Sequence, residues 1–259
     1  MSIDLRHFQM KHKVTYFECD QTGHLKLSMA FALAILVSEQ HDEAVRQASG
    51  AVLNSDQAWV VTNYQAKFAA QQPQNDEEIL LETEYTSANR FFAQRRYWIK
   101  RLDGQVYATI DGLFVMISLT KRKMVPINAT NFRAYHLNPS TKMPKLAQPI
   151  ELGDQVPPSS SNYQVRYFDL DSNRHVNNAR YFDWLLDPLG ADFLMHHCVR
   201  TVAIRYRHEV RYPNTINSQW VMASEEPLTT AHQIAIGKTV NVNASFTWDK
   251  KLLLVRLGL

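Results

Sequence analysis

The feature that most limits how this chain can fold is a segment that occurs twice. VTYFECDQTGHLKLSMAFALAIL, starting at Val14, and VRYFDLDSNRHVNNARYFDWLLD, starting at Val165, align without a gap at an offset of 165 minus 14, or 151 residues. Val14, Tyr16, Phe17, Asp20, His24 and Phe31 fall on Val165, Tyr167, Phe168, Asp171, His175 and Phe182, while Glu18 meets Asp169 and Leu25 meets Val176. Such a repeat predicts two units of one design. At 259 residues, 45% of them hydrophobic, the chain has room for two units of ordinary size and a substantial core.

Each copy opens the same order of elements. In the first half a short strand is expected to end near Cys19, and SMAFALAILVSEQHDEAVRQASG then reads as a helix with Ser28 as its N-cap and Gly50 as its stop. Its first turns are apolar nearly all round, which suits burial. WVVTNYQAKF, EEILLETEYT, RFFAQRRYWIKR and QVYATIDGLFVMISL follow, rich in β-branched and aromatic residues and partly alternating, as half-buried antiparallel strands are. The second half repeats this with a helix from about Asn178 to Asp187, stopped or kinked by Pro188, then RTVAIRYRHEVRY, SQWVMASEE, HQIAIGK, VNVNASFTW and LLLVRL. KMPKLAQPIELGDQVPPSSSN, residues 142–162, has the proline, serine and polar content of a linker, so the expected units are 1–141 and 163–259. Periodicity alone places the chain in the α+β class, with helices segregated from an antiparallel sheet.

Composition excludes several function classes. No apolar run is long enough for a membrane helix, and MSIDLRHFQMKHKV has neither the apolar block of a secretory signal nor the Arg/Ser richness of a transit peptide. No membrane insertion is therefore expected. Two cysteines, Cys19 and Cys198, build no disulfide framework and fit a reducing, cytoplasmic setting. A formal charge of +3, spread along the chain, gives no basis for nucleic-acid binding. The local groups Arg95-Arg96, Lys100-Arg101, Lys121-Arg122-Lys123 and Arg205-Arg207-Arg211 read as solvated positions that could together face an acidic partner.

DLDSNRHVNNARYFDW, residues 169–184, resembles the D-L-D-x-N-x-H-V-N-N-x-x-Y-x-x-W signature of acyl-acyl carrier protein thioesterases, and IRYRHEVRY, residues 204–212, resembles that family's Y-R-R-E-C segment. The resemblance implies a tandem, or double, hotdog: in each unit an antiparallel sheet wraps a long central helix, and one sheet can continue across the pair. It implies hydrolysis of the thioester between a fatty acyl chain and the phosphopantetheine arm of acyl carrier protein, without cofactor or metal, by a bacterial-type member. Carried over residue by residue, the catalytic group falls on Asp171, Asn173, His175 and Glu209. Many relatives have cysteine after that glutamate; this chain has Val210, so a thiol nucleophile there is excluded.

These residue types suit the chemistry. Thioester hydrolysis needs a base for water, donors for the carbonyl oxygen and a dry channel for the acyl chain. In an extended loop, Asp171, Asn173 and His175 would project to one side, and the helix behind them would offer unpaired backbone N–H groups. Glu209 is expected in a strand among apolar neighbours, where desolvation would make it a better base. Either Glu209 or His175 takes the water proton in this reading; Asp171 holds and polarises the pair, and Asn173 with a helix N–H binds the carbonyl.

Other polar residues have plainer roles. Asn177 and Asn178 read as caps and turn formers, Asp169 as a bond to the loop backbone, and Cys19 as a small buried hydrophobe. His196-His197-Cys198 lacks a second ligand pair at a recognised metal spacing. In the first half the matching positions are Asp20, Thr22, His24 and, with Tyr64 laid on Tyr206, Lys67. That copy has lost the carboxylate base and is read as catalytically degenerate, its helix residues Met29, Phe31, Leu33, Ile35 and Leu36 left to shape the acyl pocket. An acyl-CoA thioesterase and a non-catalytic acyl-binding hotdog module are the alternative functions, and the pairing already within one chain leaves a monomer or a homodimer.

Overall fold

The computed structural model describes residues 5–50, 56–140, 142–152, 159–172 and 174–251. The front half contributes β1 (His7–Lys13), α1 (Leu27–Ser49), β2 (Gln57–Phe68), β3 (Glu78–Ala88), β4 (Phe92–Arg101), β5 (Val106–Ser118), the two-residue β6 (Lys123–Met124) and α2 (Ala129–Ala134). The rear half contributes β7 (Ser159–Gln164), α3 (Asn178–Leu186), α4 (Ala191–His196), β8 (His197–Tyr206), β9 (Thr215–Glu225), β10 (Leu228–Ile236) and β11 (Thr239–Lys250).

All strands join one sheet in the order β1-β3-β4-β5-β2-β8-β11-β10-β9-β7, with β6 paired to the end of β5. Read outward from its middle, the path is β2-β5-β4-β3-β1 on one side and β8-β11-β10-β9-β7 on the other, the same order twice. The halves join through the antiparallel β2–β8 pair, from Asn63 opposite Arg205 to Lys67 opposite Thr201. Main-chain hydrogen bonds thus carry the sheet across the duplication, as expected of a tandem hotdog.

The sheet wraps around α1 and α3. On α1, Ala30, Phe31, Leu33, Ala34 and Val37 are buried; on α3, Phe182 and Leu185 are. Phe31 and Phe182, equivalent in the repeat, stack with centroids 4.0 Å apart and planes 18° apart. Equivalent residues can meet this way only near a local twofold axis, so the duplication built an internal dimer. One hydrophobic cluster accordingly runs through both halves, and the expected channel residues Met29, Ile35 and Leu36 lie against it, partly buried.

Several element ends differ from expectation. The first strand stops at Lys13, and Cys19 only bridges Leu25 across a small hairpin. Helix α1 starts at Leu27 with Lys26 in the cap position, and Ser28 is buried in the first turn. The reason is tertiary: the Lys26 amide already donates to the Glu18 carbonyl, which sets the helix origin two residues too early for Ser28 to cap. Gly50 does end the helix, left-handed at φ 66° with its N–H on Arg46 O. Helix α3 ends at Leu186 in a short 3-10 turn that contains Pro188. Ser159–Ser161, read as connecting chain, already pair with β9. The LLLVRL run at 252–257 lies outside the described residues. Among the described residues no helix is long and apolar enough to cross a membrane.

The Arg95-Arg96 pair is not a solvated cluster. Arg95 is 2% exposed. Its Nε donates to Thr83 Oγ1 at 2.9 Å and its Nη1 to Asp42 Oδ1 at 2.9 Å, while Nη2 lies 2.6 Å from His41 Nδ1. Strand alternation turns it inward while Arg96, next along β4, pairs with Asp111.

Candidate active site

The loop before α3 is a closed hairpin. Asp171 N donates to His175 O at 2.8 Å, Arg174 N to Asp171 O at 2.9 Å, and Leu170 bridges Val176. The front copy makes the same three contacts, Asp20 N to His24 O at 2.8 Å, Gly23 N to Asp20 O at 2.9 Å and Cys19 with Leu25. The left-handed corner is Gly23 at φ 80° in front and Arg174 at φ 64° behind. A non-glycine residue costs about 1 kcal/mol or more there.

Because the hairpin is tight, alternate residues do not project from an extended strand. Asp171 Oδ1 instead accepts the backbone N–H of His175 at 3.2 Å and so braces the turn that presents the imidazole. Asn173 lies outside the described residues. Asn177 is the α3 cap, its side chain accepting from Ala179 N at 2.9 Å. Asp169 is buried and accepts the Arg166 backbone N–H at 2.8 Å and its guanidinium at 2.9 Å. Burial opposes that charge, but these donors win and hold the carboxyl below its ordinary range.

Glu209 reaches the same place from the other side of the rear half. It was expected in a strand, but β8 ends at Tyr206 and the chain turns away. Arg207 N and His208 N both donate to Asn241 O, and Asn241 Nδ2 returns bonds of 3.3 Å to the carbonyls of His208 and Glu209. Val210 N donates to Tyr181 Oη at 3.2 Å, and the Val210 side chain is fully buried. A side chain at 210 therefore faces the core rather than the site. Lys67, by contrast, remains within β2, opposite Thr109 and Thr201. Equal sequence offset has not produced equal backbone.

His175 Nδ1 lies 3.1 Å from Glu209 Oε1. Glu209 Oε2 accepts from Arg211 Nε at 3.0 Å and from Arg122 Nη2 at 3.2 Å. The surroundings expected to be apolar are therefore ionic on one side. Tyr181 stands behind, its phenol pushed up to about 12 by burial and, in part, by the nearby Glu209 charge. The imidazole and carboxylate open on a cavity of about 580 Å³ whose walls include Ile117, Leu119 and Arg122 from the front half and Leu170 and Tyr212 from the rear. Helix α1 passes close to the loop as well: the Glu39 carboxyl is raised by partial burial and by the charges of Asp42 and Asp171.

Of the four residues carried over, the structure brings His175 and Glu209 into contact and puts Asp171 on the backbone of His175. Arg122, Tyr181 and Asn241 were not foreseen as parts of this site. Arg122 stood in a basic run, and nothing in the sequence marked Asn241. Of the remaining basic groups, Arg207 pairs with Glu151, Lys100 with Glu82 and Arg101 with Asp103. Among the described residues no set of three or more His, Cys, Asp or Glu side chains converges as a metal site.

The side chains of the front hairpin are engaged differently. Thr22 donates its hydroxyl to Asp20 Oδ1 at 2.6 Å and lies 3.0 Å from His24 Nδ1. Lys251, just past β11, donates to Leu194 O at 3.0 Å and reaches Thr22 Oγ1 at 3.4 Å and Asp20 Oδ2 at 3.8 Å. Burial first, and then the Lys251 charge, hold the His24 imidazole below its ordinary range against the pull of Asp20.

The chain is similar to known proteins in sequence and in fold. The profile of the Acyl-ACP thioesterase N-terminal domain matches residues 6–135, and that of the Acyl-ACP thioesterase C-terminal domain matches residues 154–250. A Lactobacillus plantarum protein described as an oleoyl thioesterase superposes with a TM-score of 0.88 at 33% identity, covering 94% of this chain and 96% of that one. The 12:0-ACP thioesterase from Umbellularia californica superposes at 0.81 with 17% identity over 95% and 94% of the two chains, a likeness of fold. Oleoyl-acyl carrier protein thioesterase 1, chloroplastic, of Arabidopsis thaliana is 27% identical over 143 residues, 51% of this chain and 39% of that protein. Dodecanoyl-[acyl-carrier-protein] hydrolase, chloroplastic, of Cinnamomum camphora is 26% identical over 162 residues, 58% and 41% of the two. The matched region thus spans about two fifths of these curated relatives.

Proposed function

The chain belongs to the acyl-ACP thioesterase family, and on that premise we propose that it hydrolyses the thioester of fatty acyl-acyl carrier protein to free fatty acid and the carrier thiol. The observation that carries this reading is the 3.1 Å contact of His175 Nδ1 with Glu209 Oε1 at the edge of a cavity walled by both halves. An imidazole and a carboxylate in contact are the parts that water activation requires.

Glu209 Oε2 takes two guanidinium groups and Oε1 takes His175, so three of about four carboxylate lone pairs are occupied, and with Nδ1 protonated the intrinsically more basic open position is Nε2 of His175. In this assignment His175 is the general base and Glu209 fixes its tautomer. Water attacks the thioester carbonyl as its proton passes to Nε2. The tetrahedral oxyanion is stabilised by Asn173 and an amide at the start of α3. Its collapse expels the carrier thiolate, which takes the proton back from the imidazole. Asp171 keeps the hairpin that aims His175.

One set of groups acts per chain. The front unit is read as residues 1–141, and the catalytic unit starts with β7 at Ser159 rather than at 163, because that strand already pairs with β9; among the described residues the His24 ring bonds to Thr22 rather than to a carboxylate, and Lys251 fills the front hairpin. Each chain holds both walls of its own cavity, so catalysis needs no second copy. The two cysteines are free thiols, which suits cytoplasmic conditions.

The test is release of fatty acid from purified acyl-carrier substrates, followed by mass spectrometry. Glu209→Gln and His175→Ala should each lower kcat by about 10²–10⁴ with circular dichroism unchanged. Full activity in both variants refutes the assignment. Equal turnover of matched acyl-CoA at low and high salt would move the substrate to the coenzyme thioester, and binding of acyl carrier without release would make the protein an acyl-binding module.

A further inference from the structure

We propose that Arg122, supplied by the front half, is a positioning residue for the rear-half site: it pins one oxygen of Glu209 and leaves the other to His175. The inference deepens the proposed function and rests on it. Arg122 lies in the turn after β5, whereas Glu209 and His175 are rear-half residues 87 and 53 positions further on (209 minus 122 and 175 minus 122). Its Nη2 is 3.2 Å from Glu209 Oε2, on the oxygen that Arg211 Nε also holds at 3.0 Å, and His175 Nδ1 takes Oε1 at 3.1 Å. Three donors arranged two on one oxygen and one on the other fix the carboxylate plane.

Two further observations point to the side chain rather than to the turn alone. Arg122 has φ 50°, a left-handed conformation that glycine adopts at lower strain, so the fold carries a strained residue where the cavity needs a guanidinium. Lys251 provides the counterpart. It follows β11, the strand equivalent to β5, and crosses in the opposite sense to Asp20 and Thr22 of the front hairpin. Each half thus sends one cation from just past the same strand across to the other, Lys251 to the front hairpin and Arg122 to Glu209 in the segment after β8. Arg211, on the same segment as Glu209, moves with it; Arg122 ties that segment to the front half.

The experiment compares Arg122→Gln, Arg122→Lys, Lys121→Ala and Glu209→Gln in the full chain, with kcat and KM measured on acyl carrier substrate and thermal midpoints as a check on folding. The Arg122 side chain is 58% exposed, so the pair is partly screened by solvent and its loss should lower kcat by about fivefold. KM should stay within about twofold, Arg122→Lys should recover most of the loss, and Lys121→Ala, which removes a neighbouring charge, should behave as native. A native kcat in Arg122→Gln, or a loss confined to KM, overturns the proposal. If Glu209→Gln is inactive while Arg122→Gln is native, only the positioning role fails; if Glu209→Gln itself is fully active, the catalytic assignment fails first.

Discussion

Lowering the pH from 7.5 to 5 is expected to weaken this fold by about 4 kcal/mol through two buried histidines, His41 and His232, each contributing about 2 kcal/mol. His41 is 1% exposed, and its Nδ1 faces the Arg95 guanidinium at 2.6 Å, so that nitrogen must accept. Nε2 then carries the proton and donates to Leu5 O at 3.0 Å. Burial, followed by the Arg95 charge, pushes His41 down to about 4. His232 is fully buried, with Nε2 2.8 Å from Thr230 Oγ1, a hydroxyl that also accepts from Trp248 Nε1. Burial pushes it down to about 3.

Both imidazoles are neutral in the folded chain at pH 5, whereas in the unfolded chain, with a pKa near 6.5, each is almost fully protonated. The unfolded state therefore binds more protons. The stabilisation is complete above about pH 6.5 and falls as the pH drops toward 4 for His41 and toward 3 for His232. Urea midpoints followed by tryptophan fluorescence at pH 7.5 and 5 measure the change. His41→Gln and His232→Gln should each remove about half of the pH dependence, whatever they do to stability at pH 7.5. A double variant with the native dependence on pH would refute the reasoning.

The Arg95 site gives a second expectation. Asp42→Ala leaves a buried guanidinium without its carboxylate and should cost about 3–5 kcal/mol, more than Arg95→Met, which removes the charge itself; urea unfolding at pH 7.5 ranks the two. At the local twofold, Phe182→Ala should cost about 3–5 kcal/mol and lower the thermal midpoint by roughly 6–20 °C, because the ring is fully buried against Phe31. A midpoint within about 2 °C of native would mean that the paired helices do not hold the halves together.

Much of the fold was legible because it is written locally and twice. The alternating apolar runs of β2 to β5 and of β9 to β11, the apolar start of α1, Gly50 and Pro188 each act within a few residues. The two hairpins could be matched because Asp20 and His24, like Asp171 and His175, close the same small ring of backbone bonds. The misreadings arose where a distant bond set the local outcome. The Glu18 carbonyl moved the α1 origin ahead of Ser28, and Asn241 with Tyr181 drew Glu209 out of the strand in which its apolar neighbours had placed it. Arg95 and Arg96 looked alike in sequence, yet one lies under α1 and the other pairs with Asp111 on its own sheet.

The duplication is read directly from the repeat, and the class of the fold and the residue types of the rear hairpin belong to the sequence because each depends on spacings short enough for local geometry to enforce. Which carboxylate meets His175 was decided by the turn that Asn241 and Tyr181 hold after β8, and the front-half cation on it by the crossing of Arg122. Those contacts join residues as far apart as Arg122 and Glu209, and only the closing of one sheet around two helices brings such side chains within 3.2 Å.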